Sequence, residues 1–454
     1  MFWPDDYLSR VARQIRVERV RGPLIAELRD HMLCQKAEYM REGLSEAEAE
    51  RRTTEDMGDA LVVGGELDAA HRPTTPWKGL LAAALLLALG LGIQLANGAM
   101  AGASPMDTLG GSRALFTALA LVPLCLFARV DYTLWIRWSL PLFWVWLLMI
   151  VQRLWIWVAF IDMRTPEAIP FILYSPVFHV FVPQVLAVAA PVCAALLACR
   201  LRGRGWGGLA VGLAPVLALA LLCWAYRHTG YEIGPCALMV AAGLTVLALG
   251  VREGFFRVPR GRALAALGGL LAPVLIFAVS RFSVQGADGE LRQLVAAILR
   301  GARPIGRCAA WAEVSDAWRR FADMGYGFSD AMLPALVARV GWVPFALLTL
   351  GIAGLLGACF RRFARLENRM GSLLGLAATL TLALQAALYV PASFGLIAEH
   401  LCLPLLSYGH AMLAADAALV GALLGVLRGA RLPEVVPSGE GSRRRRARRT
   451  IASQ

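Results

Sequence analysis

Two aspartates and a cluster of arginines are the residues in this chain whose types and spacing suit chemistry. Asp416 lies inside an apolar run that follows Leu403-Pro404-Leu405-Leu406-Ser407-Tyr408-Gly409. A Pro and a Ser-Tyr-Gly turn are poor material for a simple membrane span, because backbone polar groups at membrane depth need partners. Broken segments survive there only when buried in protein or lining a cavity. A carboxylate at that depth is costly and marks a functional-site hypothesis. Asp330 opens another apolar stretch as Ser329-Asp330-Ala331-Met332-Leu333, with Gly341 eleven residues beyond it. A carboxylate at a helix start also serves as an N-cap, so a chemical and a capping role are both open. The intervening loop carries Arg292, Arg300, Arg303, Arg307, Arg319 and Arg320. Such a group can collect an anionic substrate or lipid headgroup, or form a plain solvated face. His410 lies six residues before Asp416, a spacing that puts them on different faces of a continuous helix and argues against a proton relay. The nine cysteines show no CxxC spacing and no Cys/His cluster, so neither a metal site nor a cofactor is expected. Cys308 and Cys402 are both expected outside the cell, where a bridge between them is open.

The elements that must position these residues are apolar helices. Of the 454 residues, 58% are hydrophobic, well above a soluble globular chain. Segments long enough to cross about 30 Å of hydrocarbon lie near 78–97, 112–128, 138–160, 173–198, 208–226, 234–250, 263–280, 331–359, 371–390 and 407–428. The fold class is therefore all-α: a polytopic membrane protein of about ten transmembrane helices. The eighth segment is long enough to hold a kink. The first 75 residues are polar, without a secretory-signal pattern, so the N-terminus is expected in the cytoplasm. Ten crossings return the C-terminus there, and arginines after the fourth, sixth and eighth segments fit the positive-inside rule. The expected organisation is a cytoplasmic domain at 1–75, a membrane domain at 76–430 with a long outer loop at 281–330, and an Arg-rich cytoplasmic tail at 431–454. Within that loop Leu291 to Leu299 reads as an amphipathic helix lying on the membrane surface. The net charge of +13 follows from the orientation signal and the tail. That composition points to contact with anionic membrane lipids and gives no reason to expect a nucleic-acid partner.

The N-terminal domain carries a helical pattern from Val11 to Met40, a break at Gly43-Leu44-Ser45, and a second helix with Ser45 as cap and Glu48 three residues on. That helix ends at Met57-Gly58-Asp59, and a short third helix covers Ala60 to Ala70. The series Glu27-Leu28-Arg29-Asp30-His31, Glu42 to Glu50, Met57-Gly58-Asp59 and Glu66-Leu67-Asp68 before His71-Arg72-Pro73 resembles the HAAS or permease-prefix domain. That resemblance implies regulation or interaction rather than catalysis.

The membrane domain resembles the FtsW/RodA/SpoVE family, the SEDS proteins of bacterial division, elongation and sporulation. The family's last span follows Pro-Phe-Ile/Leu-Ser-Tyr-Gly-Gly, with an Asn nine residues after the Ser; here Ser407 and Asp416 have that spacing. Its eighth span opens with Thr-Asp-Phe-Ile and has a Gly eleven residues after the Asp, as do Asp330 and Gly341 here. The departures are specific. Phe328-Ser329 replaces His-Thr, Ala338 and Arg339 stand where two Glu often occur, and His410 and Asp416 replace a Gly and the Asn. The family's stretch after span three leaves Arg153 and Trp155 as its nearest remnant. The resemblance implies a plasma-membrane protein that polymerises peptidoglycan glycan strands from lipid II, usually beside a class B penicillin-binding protein. It makes Asp330 the candidate catalytic residue, taking the proton from the attacking hydroxyl, while Arg303, Arg307, Arg319 and Arg320 stabilise the departing pyrophosphate. Ser407, Tyr408 and Asp416 become candidate substrate-binding residues. A catalytically inactive scaffold or sensor for cell-wall enzymes stays open, as does a lipid transporter.

Overall fold

The computed structural model describes residues 3–71, 76–100, 113–162, 183–225, 233–281, 289–323, 331–397, 402–407 and 410–429. Asp330, Tyr408, the side chain of His410 and the tail at 431–454 lie outside them. The chain divides into two compact units, with cuts at Thr75/Pro76 and at Leu427/Arg428.

The N-terminal unit holds α1 (Asp5–Gln14), α2 (Glu18–Arg41), α3 (Glu46–Met57) and α4 (Ala60–His71). Its core is small: Tyr7, Leu8, Val11, Ile15, Met32 and Ala60. The capping box forms, with Ser45 Oγ accepting from the Glu48 N–H and Glu48 accepting from the Ser45 N–H. The continuous helical pattern from Val11 onward is broken at Ile15–Val17. Tertiary partners take over the backbone there: the Arg16 N–H donates to Asp68 at 2.8 Å and Arg21 donates to the Ile15 carbonyl at 2.7 Å. Asp68 on α4 thus ends α1, a contact that periodicity cannot show.

The second unit is a helical membrane domain. Its helices are α5 (Trp77–Met100), α6 (Arg113–Arg129), α7 (Tyr132–Arg137), α8 (Ser139–Asp162), α9 (Pro183–Arg200), α10 (Trp206–Ala225), α11 (Ile233–Arg252), α12 (Arg260–Arg281), α13 (Gly289–Gly301), α14 (Trp311–Asp323), α15 (Met332–Val340), α16 (Trp342–Ala364), α17 (Arg369–Ser393) and α18 (His410–Gly429). Seven helices among the described residues are long and apolar enough to cross a membrane: α5, α10, α11, α12, α16, α17 and α18. The apolar stretches of α8 and α9, Ser139–Trp155 and Gln184–Arg200, are shorter, and α6 has 17 residues. Helix α11 is the hub, packed on α9, α10, α12 and α17, with Val246 and Leu247 fully buried. Helix α16 lies at the periphery and exposes Leu347 and Leu350, as expected of a helix solvated by lipid chains.

The eighth segment is two helices rather than one kinked one. The short α15 ends at Gly341 (φ +97°), where the lipid-facing α16 begins. The residues near Asp330 therefore precede a short, buried helix, not the spanning helix itself.

Candidate functional site

Gly341 makes an elbow whose two arms are locked by a third strand of chain. The N–H groups of Trp342 and Val343 donate to the carbonyls of Arg303 and Pro304 at 3.0 and 2.9 Å. On the other arm, the Val340 carbonyl accepts from the Gly306 N–H at 2.9 Å and the Ala338 carbonyl accepts from the Cys308 N–H at 2.8 Å. The orphan donors of a new helix and the orphan acceptors of an ending one are thus both met by residues 303–308. A Cβ at Gly341 would lie 2.8 Å from the Arg303 carbonyl oxygen. Glycine is required there by both conformation and space.

The described part of the long loop, residues 289–323, is a folded cap. The apolar face of α13 does not lie on the membrane surface; Leu294 and Ile298 pack with Trp318 and Phe321 of α14 and with Ala335 of α15. That face is spent on protein, leaving Leu299 and Ile305 exposed. Trp318 pins the cap to α5, its indole N–H donating to the Asn97 carbonyl at 3.1 Å. Cys308 is buried, and it and Cys402 are both free thiols, so no bridge joins them. Arg303 and Arg307 project from the locked 303–308 strand and are exposed. The guanidinium of Arg307 lies over the Trp311 ring, 4.3 Å from its centroid. Arg319 and Arg320 are exposed on α14, where Arg319 pairs with Asp316 at 3.3 Å.

The Leu403–Ser407 turn is the second built feature. Leu405 adopts φ +63°, a left-handed conformation that costs a non-glycine residue about 1–2 kcal/mol. Its backbone is nevertheless well satisfied. The Leu403 carbonyl accepts from the Leu406 and Ser407 N–H groups and from the Ser407 hydroxyl, all at 3.1–3.2 Å. The Gln94 amide on α5 donates to the Leu406 carbonyl at 2.9 Å. One turn before Gln94, Gly90 lets the turn approach so closely that a Cβ would stand 2.5 Å from that same oxygen. From the other side the Leu405 N–H donates to the Asp416 carboxylate, which is 1% exposed. The broken segment therefore survives by burial in protein, with three side chains completing its backbone.

Asp416 also has polar company that is incompletely matched. The Gln385 amide on α17 approaches it, yet neither polar atom of Gln385 nor Oδ1 of Asp416 has a hydrogen-bond partner of full geometry. Gln385 opens onto an inner cleft of about 340 Å³ empty volume, part of it open to the surroundings, shared with Gln184, Met239, Cys402 and Met412.

The structure thus brings Arg303 and Arg307 to the elbow, and Ser407 and Asp416 to opposite sides of the turn. It holds Arg319 and Arg320 apart from them, on α14. The start of α15 joins the two features: Met332 and Leu333 share one apolar cluster with Leu403, Leu406 and Ile93. Reading the sequence alone missed Gly90, Gln94 and Gln385. Polar residues in apolar helices, Gln94 and Gln385, were the signal available for two of them.

The sequence matches no protein-family model and no curated protein. Among solved structures, the chain is similar to a variant of the rod shape determining protein RodA of Thermus thermophilus. That likeness has 18% identity and a TM-score of 0.47, and covers 80% of this chain and 99% of that one. The chain is also similar to a chain of a peptidoglycan synthase complex described as coordinating polymerization and crosslinking, at 17% identity and a TM-score of 0.47, over 78% of this chain and 98% of that one. At these TM-scores the likeness does not bear on function.

Proposed function

We propose that this protein acts in bacterial peptidoglycan assembly as a SEDS-type glycan polymerase of the plasma membrane. Lipid II is its substrate, a class B penicillin-binding protein its partner, and both termini are cytoplasmic. The observation that carries the reading is the convergence of the two motif stretches. Met332 and Leu333, two and three residues after Asp330, pack in one cluster with Leu403 and Leu406, just ahead of Ser407. In this reading Asp330 takes the proton of the attacking sugar hydroxyl, and guanidinium groups of the cap stabilise the departing pyrophosphate.

A second reading, an inactive scaffold for cell-wall enzymes, is favoured by one specific observation. Ser407 and Asp416 are buried and turned toward the turn's own backbone, which leaves them structural work independent of substrate.

Purified protein assayed with lipid II, with and without a class B penicillin-binding protein, separates the two. The polymerase reading expects Asp330→Asn to lower glycan polymerisation by about 10²-fold or more, with expression and melting unchanged, since Asn caps a helix about as well as Asp. Wild-type protein that polymerises nothing with any partner would hand the case to the scaffold.

A further inference from the structure

The elbow that Gly341 creates sets two arginines against each other. Gly306 bonds to Val340 and Cys308 bonds to Ala338, so the residues between them, Arg307 and Arg339, are held opposite one another in register. Arg339 is half-buried. Loss of water is the main influence on its guanidinium and the charge of Arg307 the next, and both push its pKa down. Neither arginine pairs with a carboxylate among the described residues. Arg307 is held over Trp311, and a stacked, planar guanidinium is already ordered for bidentate bonding. The backbone carbonyl of a third arginine, Arg303, is tied into the same elbow by the Trp342 N–H.

One cation in the last turn of α15 is explained by the negative end of the helix dipole. A second, brought opposite it by two backbone hydrogen bonds, adds repulsion that no carboxylate among the described residues offsets. Arg339 also stands where the SEDS resemblance leads one to expect Glu, so the pairing is a property of this chain.

We infer that Arg307 and Arg339, with Arg303 beside them, form a binding site for a phosphate group at the α15–α16 elbow. A phosphate offers several acceptor oxygens and up to two negative charges, which two guanidinium forks match bidentately, and it converts their repulsion into attraction. The site shares Arg303 and Arg307 with the residues proposed above to meet pyrophosphate and adds Arg339 to them; binding read without turnover tests it apart from polymerisation. The same chemistry is carried by a soluble phosphate or by the phosphate of a membrane lipid.

Full-length protein in a neutral detergent tests this, with inorganic pyrophosphate as the soluble probe and phosphatidic acid against phosphatidylcholine as the lipid probes. Binding is read by calorimetry for the first and native mass spectrometry for the second. R307Q and R339Q should each weaken binding about tenfold or more, and R262Q, on α12, should not. Retention of phosphatidic acid over phosphatidylcholine, lost in R307Q and R339Q, assigns a lipid source; binding of pyrophosphate alone assigns a soluble one. Melting supplies the independent reading. Without phosphate, R339Q should melt no lower than wild type, because it removes a repulsion, and it should lose the rise in Tm that phosphate gives. An R339Q protein that melts lower would make Arg339 a packing residue and overturn the inference. Binding of neither probe by wild type, or equal binding by wild type and both variants, would overturn it too.

Discussion

Gly341 lies so close beneath Pro304 that a Cβ added to it would stand 2.6 Å from the Pro304 carbonyl oxygen. Gly306, in the same elbow, also has a positive φ (+94° against +97°) but has open space around it. The pair separates conformation from crowding. Gly306→Ala should cost about 1–2 kcal/mol of strain. Gly341→Ala should cost that and the displacement of the 303–308 strand as well, with a distinctly larger fall in Tm. Thermal unfolding of both variants in detergent checks the order; equal losses would mean the strand yields freely.

The turn at Leu403–Ser407 should depend on α5. Gln94→Leu removes the donor to the buried Leu406 carbonyl and should destabilise the membrane unit by about 1–3 kcal/mol, the cost of a buried unsatisfied group. Gly90→Ala should act through crowding at the same oxygen. Proteolysis near Pro404 in the purified variants reports whether the turn has loosened. A turn as resistant as in wild type would show that α5 does not hold it.

Asp416 tests the meaning of the buried carboxylate. If its work is to accept from the Leu405 N–H, Asp416→Asn should fold and melt within about 1 kcal/mol of wild type, since the amide oxygen still accepts. Asp416→Leu strands the Leu405 N–H and should cost about 1–3 kcal/mol. Melting curves of the two decide it; Asn and Leu equally damaging would mean the charge itself is used.

The N-terminal unit should lose stability in acid and in strong base. Lys36 donates to Glu46 and Glu50 at 2.7 and 2.6 Å. Its bonds to these two carboxylates raise its pKa above the ordinary 10.5. The hydrogen bond to Lys36 lowers Glu46 below 4.5, and bonding to Ser45 lowers Glu48. A lowered carboxylate contributes stability above its unfolded pKa and loses it as pH falls through the folded one. The raised lysine contributes below 10.5 and loses its share as pH rises through its folded value. Circular dichroism of residues 1–75 should therefore show Tm falling below about pH 4.5 and above about pH 10.5, with a plateau between. Ser45→Ala should lower the plateau by about 1 kcal/mol and reduce the acid loss. A Tm independent of pH would remove these bonds from the account.

Apolar run length, arginine placement and local helix signals were enough to read the all-α membrane class, most helix positions and the Ser45 cap, because each depends on neighbours within a few residues. The break at Leu403–Ser407 was equally legible, since a Pro acts on its own backbone. Tertiary structure alone decided what completes that break. Gln94 is 312 residues from Leu406, and no periodicity links an amide in one apolar helix to a carbonyl so remote. It decided that α13 covers α14 and α15 rather than lipid, because an amphipathic face shows that something apolar lies opposite but not what. It decided that Gly341 divides a segment that reads as continuous, since only the 303–308 strand supplies the hydrogen bonds that make two ends cheaper than one kink. The same strand sets Arg307 opposite Arg339, a relation of register between distant backbones that residue types cannot encode.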